Sequence, residues 1–177
     1  MAIWLTSDWH LFHRRNFIYS PRGFYDAEEM NWQILTRYNS KIKPEDTVYV
    51  LGDCVVGGPI TDEILDFMSQ FNGRKYLAIG NHDGNRKIER MAAAGIFEDI
   101  AFAYRFVYKK KELYLSHYPT IVANFDDPKP VYNFFGHTHQ SSNRFKYYNN
   151  MYHVGVDSHN CYPVLLDDAL EEIKEWK

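Results

Sequence analysis

The chain has 177 residues, 45% of them hydrophobic and 17% aromatic, enough to bury a substantial core within one domain spanning 1–177. A formal charge of −3 argues against a broadly basic nucleic-acid or membrane-binding surface, though a small positive site inside a mildly acidic protein remains compatible with it. Cys54 and Cys161 are far apart and form no CxxC pair, and no apolar run approaches the ~20 residues of a membrane span, so the expectation is a reduced, soluble, cytoplasmic chain whose metal ligands are nitrogen and oxygen.

In chain order, residues 2–7, "TVYVLG" at 47–52 and "KYLAIG" at 75–80 are short, β-branched or aromatic, and nearly continuous in apolarity, as expected of strands covered on both faces. Between the first two lies "DAEEMNWQILTRYN", a helix with Asp26 as cap, Glu29 at the third position, and Met30, Ile34, Leu35 and Tyr38 at helical spacing. Between the second and third, "TDEILDFMSQF" carries Thr61 as its cap and ends at Asn72-Gly73. This βαβαβ alternation predicts an α/β core. The second half changes character: "AYRFVYKKKELYLSH" predicts a hairpin around a lysine turn, "VYNFFGHTH" and "MYHVGVD" predict further strands, and "DDALEEIKEW" a last helix with Asp168 and Glu171 as cap pair. The stretch 124–130, "NFDDPKP", reads as a loop.

Polar residues at strand ends carry the functional signal. Asp8 and His10 follow the first strand, Asp53 the second, and Asn81-His82-Asp83 the third, while His117 closes "YLSH" and His137 and His139 close "FFGHTH". Open α/β sheets bind ligands at the carboxyl ends of their strands, and this chain puts metal-type side chains at five such ends. In extended backbone, residues two apart project to one side, so Asp8 with His10, and His137 with His139, are expected to aim at one point. Glycine precedes the polar group at positions 52, 80 and 136, where it permits a sharp turn or close approach. A single histidine or aspartate here reads as a cap or turn residue; the joint clustering does not.

Taken in order, Asp8-x-His10, Gly52-Asp53, Gly80-Asn81-His82-Asp83, His117 and Gly136-His137-x-His139 resemble the five signature blocks of the calcineurin-like metallophosphoesterases. The resemblance implies the metallo-dependent phosphatase fold, a four-layer α/β/β/α sandwich of mixed sheets. It implies two divalent metal ions, one held by Asp8, His10, Asp53 and His139 and the other by Asp53, Asn81, His117 and His137, with Asp53 and a hydroxide as bridges. The donor set suits Mn²⁺, placed first, and equally Fe, Zn²⁺ or Ni²⁺, over a calcium cage. Two such ions outweigh two carboxylates and one hydroxide, leaving a positive spot for a phosphate oxyanion, and they support in-line hydrolysis.

The resemblance also makes His82 the general acid that protonates the leaving group, a role an imidazole fills near neutral pH. Asp83 is expected either to orient His82 or to cap the helix starting near Asn85. His13, Arg14 and Asn16 follow the first block closely enough to line the site mouth and hold a phosphate or nucleoside; His13 equally fits a turn, and Arg15 a solvated surface. Tyr118, Phe125 and Tyr132 are stacking candidates, with core packing favoured for the last two, and Asp157 and His159 rank behind the five blocks. "LGDCVVGG" lacks the Asp-Arg-Gly continuation of the Ser/Thr protein phosphatases, and "GNHD" replaces their GNHE, which disfavours a protein substrate. The expected activity is hydrolysis of phosphodiesters of nucleotides or similar small substrates, without an extended nucleic-acid surface. A phosphomonoesterase is the first alternative and a non-catalytic scaffold on the same fold the second.

Overall fold

The computed structural model describes residues 1–122, 129–145 and 148–176. The three apolar runs of the first half form β1 (Ile3–Thr6), β2 (Thr47–Val50) and β3 (Arg74–Ala78), each shorter than its run because the residues that follow turn out of the sheet. With β4 (Asp99–Ala101) they make a parallel array, and β9 (Val164–Leu165) adds an antiparallel edge in the order β4-β3-β2-β1-β9. The predicted hairpin is β5 (Ala103–Tyr108) and β6 (Lys111–Ser116), joined through Lys109 and Lys110, both at positive φ, the pattern of a tight primed turn. β7 (Val131–Phe135) and β8 (Met151–His153) pair in parallel beyond β6, completing a second mixed sheet, β5-β6-β7-β8.

Four helices follow in the first half: a single turn α1 (Asn16–Tyr19), then α2 (Ala27–Asn39), α3 (Asp62–Ser69) and α4 (Asn85–Ala93). The caps of α2 and α3 are as expected, Asp26 accepting from Glu29 N at 2.8 Å and Thr61 from Ile64 N at 3.3 Å. Glu29 reaches back to Tyr25 N at 2.7 Å, one residue earlier than a capping box requires. The last helix, α5 (Leu166–Glu175), differs from expectation. It starts two residues before Asp168, and its N-cap Leu165 makes no side-chain bond; Asp167 and Asp168 instead place negative charge in its first turn. Asp167 accepts from Lys109 Nζ at 2.7 Å and Tyr108 OH at 3.2 Å, fastening α5 to the hairpin.

Alternation along the inner strands divides the core. Val48, Val50 and Leu77 join Met30, Ile34, Leu65, Met68 and Met91 of α2–α4 on one face of the first sheet. Leu5, Leu51 and Ala78 face the other way and meet Leu113, Leu115, Phe134 and Tyr152 of the second sheet, with Leu166, Ala169, Leu170 and Ile173 of α5. The two mixed sheets and their helices agree with the expected four-layer sandwich. No helix among the described residues is long and apolar enough to cross a membrane. Phe125, with residues 124–128 of the expected loop, lies outside the described residues.

Trp9 anchors the end of β1. Its ring stacks on Phe71 at 4.5 Å, meets Tyr38 edge-on at 5.6 Å, and donates from Nε1 to Thr6 Oγ1 at 3.0 Å. Because Trp9 is buried between Asp8 and His10, its packing fixes where both neighbours point. Trp9→Ala is expected to lower unfolding free energy by about 3–5 kcal/mol in urea denaturation, and Trp9→Phe by clearly less; equal, small losses would remove Trp9 as the anchor.

Candidate metal centre and active site

The loops leaving β1 and β2 run side by side after the strands end. Asp8 N donates to Gly52 O at 3.0 Å, His10 N to Asp53 O at 3.0 Å, and Leu11 N to Cys54 O at 2.9 Å. Beyond this ladder, Val156 N donates to Ser7 O at 3.1 Å, so the chain after β8 lies against the end of β1. The two sheets therefore converge where the candidate ligands stand.

All seven candidate ligands come together. Asp53 Oδ2 lies 3.5 Å from His10 Nε2 and 3.6 Å from His117 Nε2. Asp8 Oδ1 lies 3.9 Å from His10 Nε2 and 4.0 Å from His139 Nε2. Asn81 Oδ1 is 2.9 Å from both His117 Nε2 and His137 Nδ1. Two sets, Asp8-His10-His139 and Asp8-Asp53-His117, bring three ligand atoms within 4.8 Å of one another, close enough for each to hold one ion.

Five of the seven reach this point by left-handed backbone: Asp8 (φ 58°), His10 (50°), Asp53 (56°), His137 (67°) and His139 (46°). The expected reason for convergence, alternation in extended chain, is therefore corrected. The chain turns at each ligand, at a cost on the order of 1 kcal/mol apiece. Close packing demands the glycines: a Cβ on Gly52, at φ 88°, would stand 2.6 Å from His117 Nδ1, and one on Gly136 would overlap Ser7 Oγ and Asp8 Oδ2.

The electrostatics are those of a site built for cations. Neither ring nitrogen of buried His10 has a hydrogen-bond partner among the described residues. Burial, then the neighbouring charges of His139, Arg22 and His82, pushes its pKa down to about 2, so His10 stays neutral with a free lone pair. His117 Nδ1 lies 2.8 Å from Leu51 O; a carbonyl only accepts, so Nδ1 donates, and Nε2 faces Asn81 Oδ1 at 2.9 Å. Burial raises Asp8 to about 6 against the opposing pull of His117 and His139. These residues fit a divalent metal.

Asp83 serves neither of its expected roles. Its buried carboxylate accepts from Asp53 N at 2.8 Å, Cys54 N at 3.2 Å and Gly80 N at 3.0 Å, binding the loop after β3 to the loop after β2. α4 begins after Gly84 with no side-chain cap. His82 N donates to Asp53 Oδ1 at 2.8 Å, and its ring is 47% exposed with Nε2 3.9 Å from Asp53 Oδ2. His13 turns its ring within 6.0 Å of His10 and accepts from Arg15 N at 3.2 Å, combining both of its expected placements. Arg14 and Arg15 line a cleft of about 1340 Å³ that also takes in His13, Trp32 and Phe67; Asn16 is not part of its lining and heads α1. Tyr118 is half exposed at the rim, 4.6 Å from the His137 ring, whereas Tyr132 packs with the second-sheet core.

Two residues that sequence reasoning passed over or ranked low also reach the site. Arg22 carries no motif; Asp157 had only its place after a late strand. Arg22 donates to Asp157, and Asp157 Oδ2 lies 2.9 Å from His139 Nδ1. His159 instead points Nε2 at His153 O at 2.9 Å.

The sequence profile described as calcineurin-like phosphoesterase matches residues 1–172. Gene 66 protein of Mycobacterium phage L5 is 30% identical over 183 residues, covering 88% of this chain and 86% of that protein. The uncharacterized protein MJ1445 of Methanocaldococcus jannaschii is 32% identical over 81 residues, 46% of each chain. The solved structure of the protein of unknown function AQ665 from Aquifex aeolicus superimposes with a TM-score of 0.72 and 27% identity over 99% of both chains.

Removal of the Asp83 acceptor strands three buried N–H groups at about 1–3 kcal/mol each. Asp83→Ala is accordingly expected to lower the melting temperature and to weaken metal uptake together. Asp83→Ala protein with wild-type melting would refute this bracing role.

Proposed function

The chain belongs to the calcineurin-like phosphoesterase family, and on that premise we propose that it hydrolyses phosphate esters at the strand-end cluster, with phosphodiesters of nucleotides or similar small molecules as preferred substrates. The observation that carries the reading is the position of Asp53 Oδ2, 3.5 Å from His10 Nε2 and 3.6 Å from His117 Nε2, which supports a carboxylate shared by two ions. Asp8, His10, Asp53 and His139 would hold one divalent ion and Asp53, Asn81, His117 and His137 the other, with Mn²⁺ the first choice and Fe, Zn²⁺ or Ni²⁺ alternatives. Bound there, the ions supply a nucleophilic water of lowered pKa and clamp the phosphoryl oxygens.

The chain's own residues set the remaining terms. His82, exposed beside Asp53 and tied to it through its backbone N–H, would give its ring proton to the departing alkoxide. His13, whose ring lies 6.0 Å from that of His10, and Arg14 both line the cleft and would hold the non-reacting part of the ester. Arg15 also lines the cleft, and Asn16, next in the chain, heads α1 beside it.

The decisive measurement is turnover of bis-p-nitrophenyl phosphate and p-nitrophenyl phosphate by Mn²⁺-loaded protein, followed by cyclic and linear nucleotides. Diester turnover is expected to dominate; no turnover of any ester sinks the proposal, and monoester-only turnover replaces it with a phosphomonoesterase. His82→Ala should bind metal as wild type does while losing about 10²–10⁴-fold in rate on esters with poor leaving groups. Loss of metal in that variant would make His82 a ligand instead.

Metal uptake should depend on pH with a definite sign. Burial raises Asp8 to about 6, and the bond to Asp157 raises His139, so both ligands take up protons more readily than in a free peptide. Apparent metal affinity is expected to fall as pH drops through 6, with protons released on binding. Calorimetry in buffers of different ionisation enthalpy checks this; affinity flat between pH 5 and 8 contradicts it.

A further inference from the structure

His139 is the least enclosed of the candidate ligands that contact Asp8. Its side chain is 35% exposed, and its loop leaves β7 through left-handed backbone at His137 and His139. Packing alone does not orient such a ring, and the nitrogen that carries a neutral imidazole's single proton cannot ligate a metal. The group that resolves both problems is Asp157, which stands after β8, outside the strand-end signature.

Both oxygens of Asp157 are engaged. Oδ1 accepts from Arg22 Nε at 2.8 Å; Oδ2 accepts from Arg22 Nη2 at 3.1 Å and faces His139 Nδ1 at 2.9 Å. An ionised carboxylate only accepts, so Nδ1 must be the protonated nitrogen and Nε2 is left for the cluster, where Asp8 Oδ1 lies 4.0 Å away. Arg22, with only 3% of its side chain exposed, also donates from Nη1 to Trp9 O at 3.0 Å and from Nη2 to Asp8 O at 2.9 Å. One guanidinium thus ties the carboxylate that orients His139 to the backbone that presents Asp8.

We propose that Asp157 is a positioning residue for the metal centre, fixing His139 as the Nδ1–H tautomer, and that Arg22 sets its register against Asp8. The inference rests on the reading of His139 as a metal ligand. A parallel within the site supports it: Leu51 O holds His117 Nδ1 at 2.8 Å in the same way, with a carbonyl in place of the carboxylate. Asp157 is not itself a ligand in this arrangement, because Arg22 and His139 occupy its oxygens. A plain structural ion pair between Arg22 and Asp157 is the competing account, and it makes no demand on the His139 tautomer.

The test uses the full chain, first stripped of metal by a chelator and then titrated with Zn²⁺. Ring ¹⁵N NMR at pH 8.5, with His139 assigned by comparison with His139→Gln, is expected to show the Nδ1–H tautomer in wild type and a shift toward Nε2–H in Asp157→Asn. Calorimetry should show Zn²⁺ affinity of one site falling 10–100-fold in Asp157→Asn, with partial recovery in Asp157→Glu. Wild-type His139 present mainly as Nε2–H overturns the proposal without any variant, so it stays decidable if Asp157→Asn does not fold. A folded Asp157→Asn protein that keeps both tautomer and affinity overturns it too, as does affinity loss with the tautomer unchanged. Wild type that binds two Zn²⁺ through an Nδ1–H His139 yet turns over no ester would leave this proposal standing and sink the hydrolase reading.

Discussion

The arrangement depends on two carboxylates, Asp8 and Asp53, buried where the two sheets meet. An ionised group removed from water costs several kcal/mol unless charges and hydrogen bonds replace the water. Much of the local structure does that replacing. His137 N donates to both Asp8 oxygens, at 3.1 and 3.0 Å, across the gap between sheets. His82 N donates to Asp53 Oδ1, and the Nε2 atoms of His10, His117 and His82 lie 3.5, 3.6 and 3.9 Å from Asp53 Oδ2. Arg22, which reaches the backbone of Asp8, spends its donors on backbone carbonyls and Asp157 rather than on these two carboxylates. The remaining demand falls on whatever cation the cluster binds.

That demand explains the strain. Left-handed backbone at five candidate ligands would be hard to justify in a scaffold whose only task is to stay folded. Here the chain must end each strand, turn toward a common point, and do so with a side chain that can coordinate. Aspartate and histidine tolerate the left-handed region better than most residues, but each must still be held there by its surroundings. The holding is visible in the ladder from Asp8 to Leu11 against Gly52 to Cys54, in Asp83 across three backbone N–H groups, and in Trp9 locked between Phe71 and Tyr38.

Much of this was legible in the sequence, for identifiable reasons. The inner strands announced themselves by continuous apolarity, since both faces are covered, and the caps of α2 and α3 by local hydrogen bonds that need no distant partner. The candidate ligands were legible because each sits at a strand end, a local feature. What escaped depends on tertiary contact. Arg22 and Asp157 are 135 positions apart, and nothing near either one signals the other. Asp83 is adjacent to His82 in sequence, yet its carboxylate turns to Asp53 and Cys54, 29 or 30 positions away. The start of α5 was misplaced because its acidic first turn answers to Lys109 and Tyr108 of the hairpin, which override a local cap.

The charge around the cleft bears on substrate size. Arg14 and Arg15 share its lining with His13, while Asp26, Glu28, Glu63 and Asp66 line the same space. A polyanionic strand threading the cleft would have to pass those four carboxylates, each repelling phosphate. Under the proposed function, a small ester would pass fewer of them, and the aromatic surface of His13, Trp32 and Phe67 offers contact to its uncharged part. The overall charge of −3 acts in the same direction: under the proposed function, a compact ester would meet less of this repulsion than an extended nucleic acid.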